Sequence, residues 1–320
     1  MTTASPIGIY YEHPHWFAPL FAKLSERGVP YQKIDATVHQ FDPALLNGDV
    51  GLRLLFNRMS PSAYLRGHGH SIFYTQSYLG HAEKLGIRVV NGAQAYRYET
   101  SKALQLSMLA ALGLPSPRAR VIHDPLQAPA AAEGLRFPIV VKPNIGGSGA
   151  GVARFDSLKS LKAAVEAGDV KLGIDSTALV QEFIPARDAY IVRVEVVGGK
   201  FLYGIKVFLT GDTFDLCPAD ICRTTDGAEL NRAACPVDAP KSGLRVEGYA
   251  PPKQIIENVE RISREAGIEV GGVEYVTDDR DGQLYFYDIN ALSNFVSDGP
   301  RVVGFDPFER LVDYLVQEAA

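Results

Sequence analysis

Cysteine is scarce: only Cys217, Cys222 and Cys235 occur in 320 residues. Three thiols cannot pair off into a disulfide framework. They also lack the C-x-x-C spacing and neighbouring histidines of a zinc site. Buried or loop thiols in a reducing compartment are the expectation, and with them a cytoplasmic location. No apolar run approaches the roughly 20 residues of a membrane span, and residues 1–6 do not read as a signal peptide. Membrane partners are therefore not expected. Clusters of Lys and Arg are missing and the formal net charge is −5, which argues against a sequence-independent grip on nucleic acid. Repeats, long low-complexity tracts and a persuasive Ser-His or Cys-His nucleophile are missing too. With 46% hydrophobic and 22% charged residues, the chain has the composition of a globular protein with two or three subdomains.

Two familiar phosphate motifs are also lacking. No Gly-Lys-Ser/Thr follows the glycine-rich stretch, so it is not a Walker loop, and no G-x-G-x-x-G reads through it. What stands there is Phe137-Pro-Ile-Val-Val-Lys-Pro-Asn-Ile-Gly-Gly-Ser-Gly-Ala-Gly-Val152. A buried strand delivers Lys142 to its end and hands over to a loop containing Gly146, Gly147, Ser148 and Gly149. Glycines allow close approach and positive φ, so successive N–H groups can turn toward an anion. A flap over a polyphosphate needs these properties; a plain glycine-rich turn between strands is the alternative.

Along the chain, segments 7–11, 29–34, 52–56 and 87–90 read as strands, with helices at 16–27 and 71–85. This alternation predicts a small parallel-sheet domain, whose ligands would meet the carboxyl ends of the strands, at Glu12-His13-Pro14-His15 and Asn57-Arg58. A boundary falls near Asn91-Gly92. Thr100 or Ser101 can cap the next helix, which Gly113 and Pro115 end. Segments 178–182, 191–197 and 200–207 read as strands, the last two joined by Gly198-Gly199. From about 210 to 252 the pattern collapses into an irregular segment too long to be a mere connector. Strands 269–277 and 283–290 form a hairpin around residues 278–282, and Asp306-Pro307 opens a last helix.

That hairpin carries chemistry. Closed symmetrically, it sets Glu274 opposite Phe286, with Asp288 as a diagonal neighbour and Asn290 further along the same face. Two carboxylates and an amide oxygen suit Mg²⁺, a hard cation that completes its shell with water and phosphates. A solvated acidic strand end is the bland alternative. Separately, Gln181-Glu182-Phe183-Ile184 precedes Pro185, so a strand breaks into a hinge. Its free backbone groups and apolar walls suit an adenine edge.

The order is a helix lysine, a strand lysine with its flap, a Gln-Glu hinge, then paired acids and an asparagine. It resembles the ATP-grasp superfamily, and within it the carboxylate–amine ligases similar to the ribosomal-protein S6 glutamate ligase and glutathione synthetase. The resemblance covers nearly the whole chain. It implies an α/β protein with α+β lobes: an ATP-grasp fold behind a small N-terminal parallel-sheet pre-grasp domain. Residues 1–97 would form that domain and residues 98–320 the ATP-grasp domain, with a small lobe at about 115–185. It further implies that Lys102 and Lys142 hold phosphates, that residues 144–152 are the flap, and that Gln181 to Ile184 hold adenine, with Glu182 near the base or ribose. Glu274, Asp288 and Asn290 become metal ligands. Arg193 falls in the family strand motif Arg193-Val-Glu-Val-Val-Gly-Gly-Lys200.

The sequence departs from the family pattern in places. The triad runs Glu then Asp. The acid two residues before the strand arginine is Ile191, with Asp188 as a substitute. The basic pair closing the next strand is reduced to Lys206. Asn290-Ala-Leu-Ser-Asn294 replaces the usual Asn-x-x-Pro-Gly. The resemblance implies ATP and Mg²⁺ as cofactors, two ions in all, with Mn²⁺ as a possible substitute. The activity expected is activation of a carboxylate as an acyl phosphate and its transfer to an amine. Arg193, Lys206 or Arg223 would steady the transferring group, and Asn57 and Arg58 would face the acid. Partners would be small-molecule or short-peptide acids and amines, with a homo-oligomer possible. A kinase acting on a small molecule, or a non-catalytic ATP-binding regulator, are the alternatives.

Overall fold

A computed structural model describes residues 6–44, 51–147, 149–209 and 245–320. Four strands build the first sheet: β1 (Ile7–Tyr11), β2 (Tyr31–Asp35), β3 (Leu54–Arg58) and β4 (Arg88–Val90), in the order β2-β1-β3-β4. All its pairings are parallel, and β1 and β3 are buried along their whole length. Burial on both faces accounts for the consecutive apolar residues of Ile7–Tyr11 and of 54–56, where an exposed sheet would alternate. Helices Ala18–Glu26 and Gly69–Lys84 close the connections.

The second sheet combines β5 (Ala119–Ile122), β6 (Ile139–Pro143), β7 (Ala153–Phe155) and β8 (Ala178–Glu182), ordered β5-β8-β6-β7 and antiparallel throughout. The third takes β9 (Tyr190–Val197), β10 (Lys200–Phe208), β11 (Val246–Tyr249), β12 (Val270–Thr277) and β13 (Leu284–Asn290), ordered β11-β10-β9-β12-β13. Gly198 and Gly199 both take positive φ, 61° and 67°, in the tight turn joining β9 to β10. The two-residue period of β9 then sorts its side chains. Val192, Val194 and Val196 pack on helix Lys253–Ala266 through Val259, Ile262 and Ala266. Ile191 and Arg193 turn the other way and line a cleft.

Asn91, at the expected boundary, does more than link domains. It is buried, takes φ 54°, and its amide donates to the carbonyls of Val270 at 2.6 Å and Ala291 at 2.7 Å. Its oxygen accepts from the backbone of Glu269 at 2.9 Å and Val270 at 3.1 Å. Arg88 adds ion pairs to Glu269 and Glu318. The N-terminal sheet is thus riveted to the third sheet.

Candidate active site

A cleft of about 340 Å³ opens between the second and third sheets, with the N-terminal domain at one end. Its small-lobe wall is set by strand alternation in β6. Ile139 and Val141 enter that lobe's core, so Val140 and Lys142 face the cleft. Lys142 is buried (8% exposed), and among the described residues its ammonium has no hydrogen bond or ion pair within reach. The flap continues from Asn144. A Cβ on Gly147 would lie 2.7 Å from Cβ of Ser62, so only glycine lets the flap backbone rest on the N-terminal domain there.

The hinge follows β8, and Gln181, Glu182, Phe183 and Ile184 all line the cleft. Gln181 Oε1 is buried without a partner, an acceptor awaiting a donor. Phe183 uses both its backbone groups: its N–H donates to the Pro138 carbonyl at 3.0 Å, and its carbonyl accepts from Arg280 at 3.0 Å. Ile184 makes no main-chain hydrogen bond among the described residues.

The opposite wall is β12–β13. The hairpin does not close symmetrically. The turn sets Thr277 opposite Leu284, one residue off the symmetric register, and a bulge between Glu274 and Tyr275 adds a second, so Glu274 lies directly opposite Asp288 and not Phe286. One extra residue, Tyr287, is absorbed there, and its hydroxyl donates to Glu274 Oε2 at 2.7 Å. The two carboxylates are thereby brought closer than a diagonal pair. Arg193 is 1% exposed and spans Glu195 at 2.6 Å and Glu274 at 2.7 Å. Its guanidinium lies flat on Gly272, where a Cβ would come within 2.6 Å of Nη2. Asp288 holds Lys102 in an ion pair and accepts from Asn290 at 3.3 Å.

Lys102 is aimed by the start of its helix. Ser101 caps that helix by accepting from the Leu104 N–H, and Asn144 Oδ1 accepts from Ala103 N–H at 3.0 Å, tying the helix to the flap strand. Burial lowers the Lys142 pKa to about 7, and the Lys102 charge acts in the same direction. Burial also pulls on Lys102, but Asp288 outweighs it and holds that ammonium above its ordinary value. Asp288 is held low despite burial by Lys102 and Lys142, while burial keeps Glu274 raised against the pull of Arg193. Two cations and two acids thus share one desolvated cleft.

Several expected positions lie elsewhere. Lys206 pairs in register with Val192, so it falls on the face of the sheet away from Arg193. There its ammonium sits 4.2 Å from the Tyr190 ring and 4.8 Å from that of Tyr249, a cation–π seat outside the cleft. Arg58 is 2% exposed and does not seat a carboxylate. It donates to the carbonyls of Ala291 and Ser293 and to Asn294 Oδ1 while stacking over Phe17 and Phe56. Asn57 likewise serves the backbone, donating to the Asn91 carbonyl and accepting from Met59 N–H. Asp188 is exposed in a left-handed turn and does not line the cleft. Arg223, Ser148 and the three cysteines lie outside the described residues.

Other residues were not picked out. Glu99 is buried on the cleft and accepts from the Ala291 N–H; burial raises its pKa to about 7. Its place three residues before Lys102 was the available signal. Trp16, Ser60 and Ser62 form the N-terminal end of the cleft. Trp16 is stacked on His13 at 4.4 Å and covered by Arg66, which Glu12 holds at 2.5 Å. They sit in the segments that follow β1 and β3, where nothing in the residue types marks a pocket.

Three facing sheets with a lysine and glycine-rich loop over paired acids make up the ATP-grasp fold, which this chain shares with solved ATP-grasp ligases. Residues 99–213 match the RimK-like ATP-grasp domain. Among curated proteins, a D-alanine--D-alanine ligase of Aromatoleum aromaticum is 30% identical over 198 residues, covering 59% of this chain and 62% of that protein. One from Pseudomonas entomophila is 27% identical, covering 83% and 78%. A probable alpha-L-glutamate ligase of Teredinibacter turnerae is 30% identical, covering 42% and 44%. The chain thus spans less than two thirds of the length of the Aromatoleum and Teredinibacter relatives. Among solved structures, the ATP-grasp ligase PsnB complexed with a phosphomimetic variant of its minimal precursor, Mg and ADP superposes with a TM-score of 0.68. Identity there is 18%, with 99% of this chain and 100% of that chain covered. The RimK domain protein from Sphaerobacter thermophilus gives 0.62 at 20% identity, covering 97% and 99%.

Proposed function

We propose that this chain is an ATP-dependent carboxylate–amine ligase that forms an amide bond and releases ADP and phosphate. The observation that carries the reading is one cleft lined by Lys142 and the flap on one side and by Glu274, Asp288 and Asn290 on the other. The relatives' names, D-alanine--D-alanine ligase and alpha-L-glutamate ligase, agree with amide formation between small amino acids.

The residues present fit the ligands this reading needs. Lys142 is a desolvated cation without an acid partner among the described residues, as a polyphosphate site requires. Gln181 Oε1 and the free backbone of Ile184 suit a base edge. Glu274, Asp288 and Asn290 offer hard oxygens and would hold Mg²⁺, which when bound neutralises charge on the phosphates.

The substrate carboxylate oxygen attacks the γ-phosphorus of ATP, the bond to the β,γ-bridging oxygen breaks, and ADP departs with that electron pair. An amine nitrogen then attacks the acyl carbon, phosphate leaves, and the amine proton passes to solvent. Lys142 and Lys102 place positive charge where the polyphosphate gathers negative charge, in a cleft where such charges act strongly. Arg193, braced by Glu195 and Glu274, fixes the acid strands. The flap on Ser62 excludes water, which protects the acyl phosphate from hydrolysis. Trp16, Ser60 and Ser62 would border the acid and amine. The reaction consumes soluble metabolites, in keeping with a cytoplasmic protein, and among the described residues no helix is long and apolar enough to cross a membrane.

The test is a panel of amino acids and short peptides with ATP and Mg²⁺, read by ADP, phosphate and product mass. Amide product with equal ADP and phosphate is expected. A phosphorylated product without free phosphate means a kinase, and no turnover with any acid means an ATP-binding regulator.

A further inference from the structure

The turn of the β12–β13 hairpin does more than reverse the chain. Asp278 at its start is completely buried (0% exposed) and bridges to Ala186 just beyond the hinge. Its carboxylate accepts from three directions. Arg280 N–H and Nε reach Oδ1 at 2.9 Å, Arg280 Nη2 reaches Oδ2 at 2.7 Å, and Arg136 Nη2 reaches Oδ2 at 2.6 Å. Arg136 belongs to the small lobe, just ahead of β6, and its N–H donates to Glu182 Oε1 at 2.9 Å. Its other nitrogen reaches Asp281 at 3.1 Å. Arg280 goes further and donates to the Phe183 carbonyl at 3.0 Å, while Asp279 N–H donates to the Pro185 carbonyl at 2.9 Å. One turn of the large lobe therefore grips the small lobe and two hinge carbonyls together.

We infer that this turn is a positioning device for the base-binding hinge. In it, Arg280 masks the Phe183 carbonyl and Asp278 holds Arg280 and Arg136 in place. The inference rests on the proposed ATP reading and deepens it. With Phe183 and Pro185 occupied, Ile184 is left to present its N–H and carbonyl, and Glu182 is held by Arg136. Adenine offers a ring acceptor and an amine donor, which a single N–H beside a carbonyl satisfies. The Phe183 carbonyl and the Ile184 N–H share one trans peptide and point opposite ways, so Arg280, by holding that carbonyl outside the cleft, aims the N–H at the base. Released, the peptide can turn and offer an acceptor that guanine, with its ring N–H and second amine, can use. Asp278 and Arg280 are positioning residues, since neither lines the cleft.

Calorimetric binding of ATP and of GTP to the full chain tests this without knowing the acid substrate. Arg280→Ala should weaken ATP by roughly tenfold, the equivalent of one charge-assisted hydrogen bond, and should narrow the ATP/GTP ratio. The near-isosteric Asp278→Asn and the surface change Arg136→Ala should move the ratio in the same direction. If Arg280→Ala does not fold, Arg280→Lys keeps the charge but loses the fork and takes its place. Folded variants with wild-type ATP affinity overturn the inference, as does a loss equal for both nucleotides, because a merely structural role discriminates no base. A wild-type chain that binds no nucleotide overturns the ligase reading itself.

Discussion

The two walls of the cleft are built on opposite electrostatic plans. On the small-lobe wall, Lys142 is a buried amine with no hydrogen-bonded or ion-paired acid among the described residues. On the large-lobe wall each acid is already matched, Glu274 by Arg193 and Asp288 by Lys102. Burying an unmatched charge is costly, and a fold retains one where a ligand completes it. The matched wall instead holds a protein cation where a metal would bind. Lys102 stands in as counter-ion to Asp288, and on the proposed reading a bound polyphosphate would draw it away. On that reading one wall would take an anion, and the other would exchange one cation for another.

The largest test strikes the matched wall. Asp288→Asn keeps shape but removes a charged ligand, so turnover should vanish in steady-state assays while circular dichroism stays unchanged. A folded, fully active variant would sink the metal assignment. On the other wall, Lys142→Ala should cost ATP binding roughly 1.5–3 kcal/mol, the worth of one charge-assisted contact. Unchanged affinity by calorimetry would make the walls equivalent and erase the comparison.

Smaller effects sharpen it. Gly272→Ala pushes a Cβ into the Arg193 guanidinium, and such overpacking costs roughly 1–3 kcal/mol of stability. A lower denaturation midpoint together with reduced kcat is expected; an unchanged kcat would confine Arg193 to bracing the sheet. The finest effect is on pH. Lys142 titrates near 7 in the fold, against about 10.4 in an unfolded chain. Between those values the unfolded state holds a proton that the fold lacks, so stability rises with pH across that window, and the destabilisation is full below it. Lys142→Met should remove that rise, measured as Tm from pH 6.5 to 9.5. A slope identical to wild type would mean the lysine is charged throughout.

Much of this was legible in sequence wherever a residue's type dictates its conformation. Gly198-Gly199 closed the expected turn, Asp306 capped the last helix by accepting from Phe308 N–H, and Ser101 capped the Lys102 helix. The lysine and acids that line the cleft were also visible, because a charge at the end of an apolar strand has few structural uses. Facing was harder. Lys206 looked basic in the right strand, but its register sends it to the far side of the sheet. Arg58 looked like a carboxylate fork, yet its donors are spent on carbonyls 233 and 235 residues away in the chain. The bulge at Glu274 depends on how Tyr287 packs, which no local pattern records.

Asn91 carries a last consequence. Four hydrogen bonds from one buried side chain fuse the first sheet to the third. The first and third sheets therefore form one continuous frame, joined at this residue. On the proposed reading, a substrate seat built from the first and third sheets would be cast in advance rather than assembled on closure. For the same reason the N-terminal domain is no interchangeable cassette, and swapping in another to change substrates must carry across an asparagine at this joint and the backbone geometry that meets it.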